Sequence, residues 1–164
     1  MNFYLSISAL IVAGLLPFQP SALQGQSDLQ QRAVVEGTRV IMAAPQHFTV
    51  ADQFHGFMHA NSSSSILVQE IPDAVYLNIL PGLTPEHFQN EGATLIEKGE
   101  LYLNSGKSGN FFIVSFIIKE IEFRRIMFFT GDLKDTIWIN ANYPASAEIL
   151  LKEILLKSMK TVSF

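Results

Sequence analysis

Residues 111–118 read FFIVSFII, a run of aromatic and β-branched side chains interrupted by a single serine. A strand with one wet face alternates apolar and polar residues, so a run like this one needs cover on both faces. It lies inside residues 101–143, where turn-forming stretches at 104–107 (NSGK), 119–120 (KE) and 131–134 (GDLK) separate apolar segments. Strands are expected at 94–103, 110–118, 122–130 and 136–143. Connections this short force neighbouring strands to run antiparallel. In the last strand Ile137, Ile139, Ala141 and Tyr143 fall on one face, and Thr136, Trp138, Asn140 and Asn142 on the other.

The rest of the chain must supply the two covers. Residues 146–160 hold the strongest helical pattern, with Ala147, Leu150, Leu151, Ile154, Leu155 and Ser158 on one face at 3–4 spacing. Glu148 with Lys152 and Glu153 with Lys157 have the spacing of favourable pairs along that helix, each worth only ~0.3 kcal/mol. Ahead of the sheet, Thr84 is placed to cap a helix, Pro85 suits its first position and Glu86 its positive end. Leu83 and Phe88 have the spacing of a hydrophobic staple, and Gly92 supplies a stop. That helix is about two turns long, so packing must hold it rather than propensity. Residues 73–80 form a helical turn or a loop. Further upstream, residues 39–44 form a first strand stopped by Pro45, and 48–60 a strand or bend around Gly56. A serine-rich turn at 61–65 leads into a strand at 66–71 that ends at Pro72. The expected class is α+β: an α/β/α sandwich around a central antiparallel sheet of about six strands, the C-terminal helix packed on one face.

Of the 164 residues 48% are hydrophobic and 16% charged, with a net charge of −4, which fits one globular domain. The eleven Lys and Arg are scattered. The adjacent pair Arg124-Arg125 lies in an expected strand, where neighbours point to opposite faces, so no basic patch for nucleic acid forms. The first charged residue is Asp28. Residues 5–16 (LSISALIVAGLL) have the length of a signal-peptide core and fall short of the roughly 20 residues that cross a bilayer. Pro17, Pro20, Ser21 and Ala22 follow as an export cleavage region would, with cuts after Ala22 or Gly25 both open. Residues 1–25 are therefore expected to be a signal peptide, 26–37 a flexible lead-in and 38–164 a single domain, exported to the periplasm or secreted. An uncleaved membrane anchor is the alternative; the mature chain is expected to have no integral span. With no cysteine, disulfides, thiol catalysis and Cys-based zinc sites are excluded. A mature chain of roughly 140 residues can bury about two thirds of its surface, enough to stand on its core alone.

Gly106-Lys107-Ser108 has the tail of a phosphate-binding loop, but Leu101 stands where the first glycine belongs, and a strand follows where a helix is needed. His47, His55 and His59, with Asp52, are the candidate metal ligands, and weak ones. On a strand His55 and His59 stand roughly 13 Å apart, beyond a shared ion. Ser62 to Ser65, His59 and Asp52 could compose a nucleophile, a base and its orienting acid, yet no G-x-S-x-G elbow is present. Asn61-Ser62-Ser63 is a glycosylation sequon. Trp138 and the thirteen Phe are expected in the core rather than in a ligand cage. No catalytic residue and no cofactor is assigned.

From Pro45 to Phe164 the chain resembles the superfamily that contains the photosystem II extrinsic protein PsbP, a Ran-binding nuclear import factor and small exported bacterial proteins. An ordered pattern carries the resemblance: Pro45-Gln46-His47-Phe48, Phe54-His55-Gly56-Phe57, the strand 66–71 before Pro72, and Leu83-Thr84-Pro85-Glu86 before Gly92. Gly106-Lys107-Ser108-Gly109, Phe129-Thr130-Gly131-Asp132, Thr136-Ile137 and Tyr143-Pro144 complete it. The exported bacterial members look nearest. The resemblance implies an α/β/α sandwich and an accessory or binding role rather than catalysis, and no functional residue of PsbP maps onto a position here. The expected function is an exported, non-enzymatic accessory or protein-interaction module whose partner is another envelope or secreted protein. The alternatives are a carrier of a lipid or small apolar ligand between sheet and helix and, last, a hydrolase.

Overall fold

The computed structural model of the protein describes residues 27–164, so the export-signal reading of residues 1–25 lies outside the described residues. The chain forms strands β1 (Ala33–Val34), β2 (Ile41–Met42), β3 (Thr49–Val50), β4 (Gly56–His59) and β5 (Ser64–Ile71). Two short helices follow, α1 (Tyr76–Ile79) and α2 (Pro85–Asn90). The chain then runs through β6 (Thr94–Tyr102), β7 (Ser108–Ile118), β8 (Ile121–Gly131) and β9 (Thr136–Pro144), and ends in α3 (Glu148–Lys160). Seven strands make one antiparallel sheet in the order β3-β4-β5-β9-β8-β7-β6. The main sheet thus has seven strands rather than about six, because 48–60 supplies β3 and β4. The expected strand at 39–44 leaves that sheet and pairs with β1 in a sheet of two strands.

Local chemistry accounts for the connections. Lys119 and Glu120 both take positive φ, 47° and 67°, so β7 and β8 join through a two-residue turn whose twist matches the strands. Gly56 has φ 146° and lies so close to β5 that a Cβ would run into the Ile66 carbonyl oxygen, so only glycine lets β4 close on β5. Residues 27–37 do not form a free lead-in. Val35 is buried, Leu29 bridges Pro45, and Lys157 pairs with Asp28 at 3.0 Å.

The two faces of the sheet are covered unequally. On one face Ile113, Ile126, Phe128, Ile137, Ile139 and Tyr143 are wholly buried beneath α3 and the chain around β2. The helix meets the sheet through Leu155, Ser158 and Met159, with Leu151 packed beside them. This face keeps Leu151, Leu155 and Ser158 as expected but gains Met159 and loses Leu150, which is 71% exposed. The expected pairs along α3 give way to pairs across elements, Lys152 with Glu97 at 2.6 Å, Lys157 with Asp28, and Glu148 with Arg124 at 3.0 Å. Ser158 Oγ donates to the Ala43 carbonyl at 2.6 Å, and Thr161 Oγ1 accepts from the Ala43 N–H at 2.8 Å, locking the helix end to the chain after β2.

On the other face only the short α1–α2 segment provides a roof. Thr84 Oγ1 accepts from the His87 N–H at 3.2 Å, capping α2 as its sequence requires. Phe88 of α2 is thereby set down on Phe112, with ring centroids 6.0 Å apart. Phe112, Val114, Met127 and Phe129 form the buried floor beneath it. Residues 111–114 of the apolar run are buried on both faces, whereas Ile117 on the α3 face and Ile118 at the edge of the other face are exposed.

Candidate binding groove

Because α1 and α2 are short, they leave an apolar groove of about 690 Å³ between themselves and the sheet. Its volume falls within the roughly 300–1,000 Å³ of ordinary ligand sites. Strand alternation builds the floor: Val114 and Phe116 from β7, Arg125, Met127 and Phe129 from β8, and Trp138 from β9. Trp138 stacks on Phe129 at 5.7 Å and 9°, half-buried as a groove wall rather than sealed in the core as expected. Its indole N–H and the Asn140 side-chain oxygen, on the same face of β9, are buried without a hydrogen-bond partner among the described residues.

Arg125 is the one arginine or lysine in this lining. Its Nε donates to Asn142 Oδ1 at 2.7 Å, and the guanidinium carbon lies 4.8 Å from the centroid of the Phe116 ring. Burial pulls the guanidinium below its ordinary value, although an arginine stays charged. No carboxylate of the described residues pairs with it, and residues 1–26 contain no Asp or Glu. Its neighbour Arg124 points to the opposite face, where it binds Glu122 and Glu148, and those contacts raise its pKa, the Glu122 hydrogen bond most of all. His87 and Glu91, both exposed, stand at the mouth of the groove.

The candidates singled out from the sequence lie elsewhere. His47 is exposed at φ 67°, and His55 is exposed beside Gly37, whose absent side chain leaves room for its ring. His59 stacks on Phe48 at 5.5 Å. Asp52 and His55 border one shallow cleft, His47 and His59 another. Among the described residues no three His, Asp or Glu side chains gather closely enough to hold a metal ion. His59 Nδ1 does reach Ser62 Oγ at 2.7 Å, but that hydroxyl also contacts Ser64 Oγ at 2.8 Å, and Asp52 does not join them. The contacts fasten the turn before β5 and assemble no catalytic triad. Gly106, at φ 87°, turns the β6–β7 hairpin, and Lys107 lies 3.9 Å over the Phe164 ring. What the sequence did not disclose is Arg125 alone among aromatics. The odd parity of Arg125, Met127 and Phe129 would have placed them together, but no sequence signal says which arginine of the pair lacks an acid.

A seven-stranded antiparallel sheet with a long C-terminal helix on one face and short helices on the other is the PsbP-like fold. Cyanobacterial PsbP of Synechocystis sp. PCC 6803 matches this chain with a TM-score of 0.53 at 12% identity, over 90% of this chain and 98% of that one. LpqN of Mycobacterium tuberculosis, involved in cell envelope biogenesis, matches with a TM-score of 0.57 at 12% identity, over 84% and 93%. A protein of unknown function from Pseudomonas aeruginosa matches at 0.53 and 8% identity, over 84% and 98%. No protein-family model and no curated protein matches the sequence. At these identities the fold is shared and no residue role carries across. None of the three is described as an enzyme. No helix of the described residues is long and apolar enough to cross a membrane.

Proposed function

We propose that the protein is an exported, non-enzymatic binding module that holds an apolar ligand or partner segment in the groove between the sheet and α1–α2. The observation that carries this reading is the open apolar space of about 690 Å³ on a sheet whose opposite face holds the main core. A fold stabilised from one side can leave the other for binding, since the helices over the groove are too short to seal it. Export is supported by the apolar segment at 5–16 and by likeness to an envelope-biogenesis protein. In this proposal residues 1–25 are the export signal and the domain follows.

A fluorescent apolar dye tests the groove directly, because Trp138 is the only tryptophan and stands in its wall. The full chain should bind such a dye saturably, with energy transfer from Trp138. Ala93→Phe, which fills the space beneath α2, should weaken that binding at least about tenfold while leaving the circular dichroism spectrum unchanged. Equal dye binding by the wild type and by folded Ala93→Phe would overturn the proposal.

A further inference from the structure

We infer that the groove takes an unbranched aliphatic carboxylate, a fatty acid, with Arg125 receiving the head and the aromatic floor the chain. The inference rests on the groove proposed above and adds the chemistry of what fills it. Charge complementarity carries it. Arg125 is half-buried in an apolar wall with no acidic partner of its own, so its guanidinium is available to an anion that enters the groove. Among the described residues no carboxylate meets it; Asn142 Oδ1 accepts from Nε, and the guanidinium lies over the face of Phe116. Those contacts fix the plane of the group and leave its two Nη atoms without an acceptor among the described residues. That edge matches the two oxygens of one carboxylate.

The floor has the shape for a chain. Arg125 pairs with Asn142 and Phe129 with Trp138, so Arg125 and Trp138 lie four residues apart along neighbouring strands, roughly 13 Å. Val114, Met127 and Phe129 line the space beside and between them. Between Arg125 and Trp138 these side chains are apolar, which suits an alkyl chain over a sugar. A carboxylate is favoured over a phosphate because one fixed cation serves the site, and the exposed Glu91 at the mouth repels a dianion more than a monoanion.

Trp138 emission of the full chain, titrated with laurate, decanoate, dodecan-1-ol and dodecyl phosphate, tests this. Laurate should bind at least about tenfold more tightly than the alcohol of equal length. Decanoate, two methylenes shorter, should bind roughly fifteenfold more weakly than laurate, at about fourfold per methylene. Arg125→Gln should bring laurate down to the alcohol's level and leave the alcohol unmoved, and Arg125→Lys should fall between. Should Arg125→Gln fail to fold, the wild-type comparison of acid with alcohol decides alone. Equal binding of acid and alcohol, an acid preference that survives in folded Arg125→Gln, or tighter binding of dodecyl phosphate would each overturn the fatty-acid inference while leaving the groove proposal standing. No saturable response to any of the four, together with unchanged dye binding in Ala93→Phe, would remove both.

Discussion

Tyr143 is wholly buried beneath α3, and its hydroxyl finds no hydrogen-bond partner among the described residues. An unsatisfied buried polar group costs about 1–3 kcal/mol, so removing it should help. Tyr143→Phe is expected to stabilise the fold by about 1 kcal/mol in urea unfolding near neutral pH, where the same change at a bonded tyrosine would destabilise. Burial also pushes the Tyr143 pKa up, with the Glu148 charge adding to it. The native state therefore keeps a proton that the unfolded chain releases above about pH 10. The stability this supplies is whole below that pH and is lost as pH rises toward the raised folded value. Tyr143→Phe should accordingly lose less stability than the wild type between about pH 9 and pH 11; parallel losses in the two proteins would show that Tyr143 plays no part. The arginine pair teaches the same lesson about environment. Alternation alone puts Arg124 and Arg125 on opposite faces, but that one meets Glu122 and Glu148 and the other meets aromatics depends on register between distant strands.

Among the elements, the β6–β9 meander and α3 were legible because long apolar segments separated by turn residues leave few alternatives. The strands run at Thr94–Tyr102, Ser108–Ile118, Ile121–Gly131 and Thr136–Pro144, each within two residues of its expected bounds. The two-residue strand β1 escaped because so short a pairing carries no periodicity, and the expected strand at 39–44 is reduced to Ile41–Met42. The edge of the buried face of α3, where Met159 replaces Leu150, escaped for the opposite reason. Ile149, Leu150, Leu151, Ile154, Leu155 and Leu156 are so dense that a helical period fits more than one face, and the burial of Met159 with the Thr161 hydroxyl turns the helix so that Leu150 faces out. Leu155→Ala should therefore cost about 2–5 kcal/mol of unfolding free energy, through the cavity it leaves. Leu150→Ala should stay within about 0.5 kcal/mol, since its side chain already faces solvent. Comparable losses in the two variants would restore the face expected from spacing alone.

At the scale of the whole molecule, the apolar run of β7 demanded two covers and received unequal ones. The α3 face buries a large cluster drawn from both ends of the chain, while the α1–α2 face buries five residues and leaves a groove. The need for cover was legible in residues 111–118, but the size of each cover was not, because it depends on how far two short helices can reach across seven strands. Unequal cover implies unequal local stability. Helices of four and six residues cannot hold themselves by propensity, and Phe88 is the one residue they bury, so they are expected to open without global unfolding. Native-state hydrogen exchange should show amides of residues 76–90 exchanging at least about a hundredfold faster than those of β8, β9 and α3. Saturating laurate should slow exchange across that roof and leave α3 unchanged, because a ligand held between roof and floor stabilises only the state in which the roof is down. Protection of the roof equal to that of α3 in the free protein would mean that both covers are structural, and that the groove is a packing remainder rather than a place of entry.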